Sequence, residues 1–204
     1  MSKSRNLAAL LDSSGDVVAG ALDNAGGGGG AWEVISSQTV TSAVSSVDFT
    51  GMSGYDKYQL MWSNVVCSGH PGGLALNFST DDGSTWHTGW FDSLIAYSSE
   101  NVADTIVADT NSSSYGRLPL NKMMHQYNTN EISVGQALIY NMHEAVYTHV
   151  ESTTINDTSN GYLSYTDTRA RLATTSVYNS ITMYLINSVN FTGGTFTLYG
   201  IKNS

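Results

Sequence analysis

Apolar and polar residues alternate along most of the chain beyond residue 31. The clearest alternating segments are YQLMWS from Tyr58, LALNFS from Leu74, ITMYLI from Ile181 and GTFTLYGI from Gly194. A period of two is typical of a β-strand with one buried face. In LALNFS, for example, it predicts alternate burial, with Leu74, Leu76 and Phe78 facing the core.

Weaker alternation predicts further strands near residues 32–35, 44–49, 105–108, 137–142, 146–151 and 162–172. About ten short strands separated by turn residues, with no long helix, indicate an all-β protein built as an antiparallel sandwich. A jelly-roll-like β-sandwich is the interpretation that we favour. We find no repeat of fixed period, which argues against a propeller or a solenoid.

The first 30 residues follow a different pattern. Leu7, Leu10 and Leu11 stand at i, i+3 and i+4, which predicts one face of a short helix over residues 4–11. Val17 and Leu22 follow, before the five glycines of residues 26–30, which form a flexible linker by composition. Residues 1–25 are then either a frayed tail or an arm that docks on a partner. We favour the docking arm because its leucines share a face, and we assign residues 31–204 to the sandwich.

Composition and charge narrow the classes of partner. Only 12% of the 204 residues are charged, and 17 acidic against 8 basic residues give a net charge of -9. This sign disfavours nucleic acid and anionic lipid as partners. The chain has one cysteine, Cys67, so we expect packing or assembly to stabilise it rather than disulfides. We expect neither a signal peptide nor membrane insertion, which implies synthesis in a cytoplasm and release by cell lysis.

One segment, STDDGSTW, resembles the Asp-box of sialidases and other β-propeller enzymes. The matching residues are Ser79, Asp81, Gly83, Thr85 and Trp86. In those enzymes the box is a structural turn that is repeated across several blades, away from the catalytic carboxylates. One copy in a chain of this length indicates a hairpin turn, in which Gly83 takes a positive φ and Asp81 accepts turn amides. Trp86 then packs inward under the turn or faces a partner together with Trp90.

Catalytic chemistry has little support in the sequence. A glycosidase needs two carboxylates about 5 to 10 Å apart across a cleft, and the acidic residues Asp48, Asp56, Asp92 and Asp157 stand singly in turn-like contexts. No Gly-x-Ser-x-Gly nucleophile elbow is present. His143 and His149 match no zinc-binding spacing. We therefore expect no enzyme activity, no cofactor and no metal site.

Aromatic residues near polar loops suggest a binding role. They lie close to Asp, Asn and Ser residues, which is the composition of a sugar-stacking site. The same rings would serve equally well in a core or a subunit interface. These candidate glycan or interface aromatics are Trp86, Trp90, Phe91, Tyr97 and Tyr115.

Two parts of the chain resemble structural proteins of tailed phages. MSKSRNLAALLDSSGDVVAGALDN is similar to a short N-terminal peptide on many such proteins, especially those of cyanophages. GAWEVISSQTV, VDFTGMSGYDKYQLMWSNV, LALNFSTDDGSTW and the closing GGTFTLYGIK are similar to a β-rich virion domain of the same phages. The resemblance covers most of residues 1–86 and the last dozen residues, and it carries no catalytic motif.

The resemblance implies a virion protein that assembles in the host cytoplasm, commonly as a homotrimer. A fibre has a long shaft, whereas here five glycines join the arm to the β-domain. The resemblance therefore favours a capsid decoration (cement) protein whose arm docks on the major capsid protein through Leu7, Leu10, Leu11, Val17 and Leu22. The alternative is a short tail-fibre appendage that contacts tail or baseplate proteins and binds a host surface glycan.

Overall fold

The computed structural model describes residues 32–69, 73–89, 91–99, 102–110, 118–120, 132–157 and 163–202. These residues form twelve strands and one 3₁₀ turn, Ile186–Ser188. The strands are β1 (Trp32–Val40), β2 (Ser46–Phe49), β3 (Lys57–Cys67), β4 (Leu74–Ser79), β5 (Phe91–Ser99), β6 (Val102–Thr110), β7 (Leu118–Pro119), β8 (Ser133–Tyr140), β9 (His149–Asp157), β10 (Leu163–Leu172), β11 (Ser180–Leu185) and β12 (Phe191–Ile201). The predicted docking arm and glycine linker lie outside this part of the chain.

The strands form two antiparallel sheets. The larger has eight strands in the order β1-β12-β3-β8-β9-β10-β5-β6, and the smaller has four in the order β2-β11-β4-β7. Some neighbours are consecutive strands, such as β8 and β9, but others are far apart in sequence: β1 pairs with β12, and β2 pairs with β11. The all-β prediction is confirmed, and the two sheets are consistent with a sandwich.

A single apolar core lies between the sheets. Its buried side chains alternate along the central strands as the period of two predicts: Leu60 and Trp62 in β3, for instance, or Ile181 and Met183 in β11. The lone cysteine, Cys67, is buried at the end of β3. Burial of such side chains is the main favourable contribution to folding.

Strand β4 departs from the predicted alternation. Leu74, Leu76 and Phe78 face the core, but the residues between them, Ala75 and Asn77, are buried as well. β4 lies between β11 and β7, so its edges are also covered. A central strand of a small sheet is therefore buried on both faces, which alternation alone does not predict.

The alternation of apolar and polar residues did not predict strand β5. Its inward-facing side chains include Phe91, Ser93 and Ile95, and the buried serine interrupts the apolar alternation. Its neighbour β10 likewise buries Thr166 and Thr168. This half of the large sheet has an inner face rich in hydroxyl groups, which a hydrophobic pattern does not identify as buried.

Candidate functional site

Residues 79–86 form a tight turn held by the side chains of Ser79 and Asp81. The Ser79 hydroxyl donates to Asp81 Oδ1 at 2.6 Å and accepts the Gly83 N–H at 3.0 Å. Asp81 Oδ1 also accepts the Thr85 N–H at 2.8 Å, and Oδ2 accepts the Thr85 hydroxyl at 2.7 Å. The conspicuous carboxylate of the motif is therefore engaged within the turn itself.

The turn places the Trp86 ring close over its glycine. Asp82 and Gly83 both have left-handed backbone conformations, with φ of 57° and 82°. A Cβ atom on Gly83 would lie 3.3 Å from Trp86 Cζ2, so a larger residue would press on the ring. Gly83 thus meets two requirements, a positive φ and a close approach.

Hydrogen bonds also stabilise the ionised form of Asp81. The Ser79 hydroxyl, followed by the N–H and hydroxyl of Thr85, holds the pKa of the Asp81 carboxyl below its usual value. Because these bonds go to the charged form, they strengthen the turn at neutral pH.

We expect Asp81→Ala to lower the thermal unfolding midpoint, because it removes the acceptor of three turn hydrogen bonds. Thermal denaturation at pH 7 measures the change. Asp82→Asn is the matched control, since Asp82 is exposed and asparagine tolerates the left-handed backbone. Equal midpoints for the two variants would show that Asp81 does not hold the turn.

Segment 86–88 is hydrogen-bonded to the end of β4. The His87 N–H donates to the Phe78 carbonyl at 2.8 Å, and the Asn77 side-chain amide donates to the His87 carbonyl at 3.1 Å. These bonds fix the backbone beside Trp86, whose side chain is half-buried. Trp86 therefore lies at the surface of the small sheet, and its ring lines a cleft.

This cleft lies on the outer face of the four-stranded sheet and has a volume of about 610 Å³. Trp86 lines it on the side of the Asp-box turn, Thr182 and Tyr184 of β11 lie in its floor, and residues 186–190 close the opposite side. Its lining combines two aromatic rings with amides and hydroxyls. That size and composition are typical of small-molecule binding sites.

His87 lies on the other side of Trp86, in an aromatic cluster. Its ring meets Phe91 and Tyr178 edge to face at centroid distances of 5.4 and 5.8 Å. Nδ1 lies 3.3 Å from the Tyr178 hydroxyl, and Nε2 is buried without a hydrogen-bond partner. Burial lowers the pKa of His87 below 6.5.

The free energy of unfolding should consequently fall as the pH drops below about 6.5, because the unfolded chain then binds a proton that the folded His87 resists. We expect His87→Phe, which keeps the ring contacts, to reduce this slope in denaturant titrations between pH 7.5 and 5. Tyr178→Phe should keep the same slope, because burial of His87, and not its contact with the Tyr178 hydroxyl, lowers its pKa. An unchanged slope in His87→Phe would assign the pH dependence to other groups.

The other candidate acids and histidines have structural contacts. His143 Nε2 hydrogen-bonds to the Tyr58 hydroxyl, whose pKa burial raises to about 12. Asp92 accepts a bond from Arg171 at 2.8 Å. His149 begins β9, opposite Arg171 of β10. Within the ranges that the structure covers, no three His, Cys, Asp or Glu side chains form a metal-binding group, and no helix could span a bilayer.

The structure separates the predicted aromatics. Phe91 is the first residue of β5 and is fully buried, so its ring belongs to the core and is not available to a ligand. Tyr97 lies within β5, opposite Thr166 of β10. Trp90 and Tyr115 lie outside the described residues, as do the arm residues Leu7, Leu10, Leu11, Val17 and Leu22. Among the predicted aromatics in the described part of the chain, Trp86 is the one that lines the cleft.

Sequence reasoning missed the rest of the cleft. Tyr184 occupies an outward position of the alternating segment ITMYLI, and an aromatic ring at such a position is the one signal that could have identified it. Asn187 and Asn190 follow in an irregular loop, where no pattern marks them. Comparisons of this chain with protein-family models, with curated proteins and with solved structures found no match.

Proposed function

We propose that this chain is a non-enzymatic structural protein of a virion surface, a capsid decoration protein that docks by residues 1–25. The observation that carries the proposal is the strand order. Two four-stranded groups, β1-β12-β3-β8 and β2-β11-β4-β7, follow the pattern of two interleaved Greek keys. We interpret this sandwich as a jelly roll, an architecture common in viral capsid and lectin domains.

In this interpretation the remaining strands are insertions. β5 and β6 are inserted in the sequence between β4 and β7, and β9 and β10 are inserted between β8 and β11. All four extend the large sheet beyond β8 in the order β9-β10-β5-β6. The extension gives the protein a broad outer face that an eight-stranded jelly roll would lack.

That outer face supports self-association, for which we propose a homotrimer. Large apolar side chains are exposed along it, including Val34 at 58% and Leu163 at 51%. Register places Trp32, Met61 and Leu94 on the same face. Monomeric proteins rarely expose extended apolar surfaces, which usually mark interaction sites. The proposal predicts a trimer of the full chain in analytical ultracentrifugation, and a monomer at micromolar concentration would contradict it.

Docking by the arm is tested with a full-length variant in which Leu7, Leu10 and Leu11 are all replaced by serine. Burying leucine contributes about 1.5 to 3 kcal/mol per side chain before ordering costs. We expect the variant to fold but to lose incorporation into particles, as should deletion of residues 1–25. Replacing the linker glycines 26–30 by serines is the control. Full occupancy of either arm variant would refute the docking role, and electron microscopy of particles would locate the protein on head or tail.

The cleft favours a second candidate function, a short tail appendage with lectin-like binding of a host glycan. Trp86 and Tyr184 supply aromatic surface there, and the surrounding asparagine, serine and threonine residues supply hydrogen-bonding groups. Engagement of the Asp81 carboxylate within its own turn supports binding rather than glycoside hydrolysis at this place. Saturable binding of the purified chain to host envelope glycans would support this function.

A further inference from the structure

We propose that the cleft between Trp86 and residues 186–190 is a binding site for an uncharged saccharide. The inference rests on the second candidate function, and it specifies both the location of the site and the chemical class of its ligand. Three features carry it: the floor of the cleft, its two walls and its charge.

The floor is built from the outward side chains of the small sheet. Strand register places Ser46 beside Tyr184, and Thr182 beside Asn77. Their neighbours in sequence, Val47, Ile181 and Met183, face the core. Thr182 donates its hydroxyl to the Asp48 carboxylate, and the Asn77 side chain bonds to the His87 carbonyl and the Phe78 N–H. Main-chain pairing and these side-chain bonds together make the floor rigid. Sites on strands hold their groups more precisely than sites on loops.

One wall is the Trp86 ring. Asn77 and the backbone of β4 hold segment 86–88 in place, and the close approach to Gly83 restricts the ring further. A large, fixed aromatic surface beside hydrogen-bonding groups suits a ligand with apolar C–H faces and hydroxyl edges, which describes a sugar ring.

The opposite wall carries strained backbone. Asn187 and Ser188 follow each other in the left-handed region, with φ of 69° and 58°. Both residues line the cleft. Two consecutive non-glycine residues in this conformation are uncommon, and such strain concentrates at ligand-binding sites. Asn187 and Ser188 thus add an amide and a hydroxyl to the residues that line the cleft.

The lack of charged side chains in the cleft lining favours uncharged saccharides over anionic ones. No charged residue is found among the twelve described residues that line the cleft, and the one carboxylate bonded to its floor, that of Asp48 at the Thr182 hydroxyl, would repel an anion. Anionic sugars need paired cations when their carboxylates or phosphates lose water, and the chain has a net charge of -9. A neutral saccharide has a smaller desolvation cost on entering such a site, and the negative charge of the protein does not repel it.

The test is native affinity electrophoresis of the full chain in gels that contain dextran, mannan or galactan, with dextran sulfate and polygalacturonate as charged counterparts. We expect retardation by at least one neutral polymer and none by the charged ones. Trp86→Ala should weaken binding about tenfold, the value of one lost aromatic contact. Tyr147→Ala is the matched control, since Tyr147 is an aromatic residue that is 42% exposed and does not line the cleft.

If Trp86→Ala unfolds the turn, Asn187→Gly provides a second test of the same binding site. Glycine tolerates the φ of 69° and removes only the amide, so weaker binding with an unchanged melting temperature would support the site. Retardation by charged polymers alone would overturn the neutral ligand and leave glycan binding standing. No retardation by any polymer would overturn both, while the decoration function would still be decided by particle incorporation of the arm variants.

Discussion

Phe78→Ala is expected to remove a large part of the stability of the sandwich. Phe78 is fully buried in β4, between β11 and β7, and its ring packs against Tyr178 at a centroid distance of 5.5 Å. Truncating a buried phenylalanine costs about 3 to 5 kcal/mol, because apolar contacts are lost and a cavity remains. Native domains are stable by only about 5 to 15 kcal/mol, so this loss is a large fraction of the total.

Urea unfolding monitored by tryptophan fluorescence measures the loss as a lower midpoint. Val177→Ala is the matched control, because Val177 is 49% exposed in the loop before β11 and its truncation leaves no cavity. Similar midpoints for the two variants would mean that β4 is not central to the core. Phe78→Leu should fall between them, since most of the buried volume is kept.

Gly135→Ala is expected to destabilise the protein by overpacking rather than by a cavity. A Cβ atom on Gly135 would lie 2.5 Å from the Thr153 carbonyl oxygen and 2.5 Å from Trp62 Cζ2. The carbonyl belongs to the paired strand β9 and cannot move alone. The Trp62 ring is buried, and its N–H lies 3.4 Å from the Ser133 hydroxyl oxygen. Overpacking of this kind costs about 1 to 3 kcal/mol.

Gly193→Ala in β12 is the control for this variant. Its added methyl group would lie 3.5 Å from Val66 Cβ, which is an ordinary contact. We therefore expect a normal melting temperature for Gly193→Ala and a lower one for Gly135→Ala. If both variants melt like the parent protein, β8 and β9 lie farther apart at Gly135 than the structure indicates.

The strands that alternation predicts well are those whose inner faces are fully apolar. β11 and β12 place Ile181, Met183, Phe196 and Leu198 in the core as expected. β5 was missed because Ser93 occupies a buried position between apolar residues. Hydrophobicity alone does not distinguish a buried hydroxyl group from an exposed one.

The Asp-box motif predicted the structure of its turn but not the environment of Trp86. Each hydrogen bond among Ser79, Asp81, Gly83 and Thr85 joins residues at most four positions apart, so a short segment specifies them. A further bond, from the Asp82 N–H to the Asn179 side chain at 3.1 Å, is supplied by a distant part of the chain. The orientation of Trp86 was left open, because it depends on Asn77 and on the neighbouring strands. The structure places the ring against Gly83 of the turn and in the lining of the cleft.

By itself, the sequence determined the all-β class, the inward faces of the apolar strands and the turn at Asp81, because these depend on neighbours along the chain. Tertiary structure decided the pairing of the strands and the existence of the cleft. Ser46, Trp86 and Asn187 meet there although about 40 and 100 residues separate them, since β2 and β4 both pair with β11. Strand pairing is non-local, and a period of two in the sequence does not specify which strands will meet.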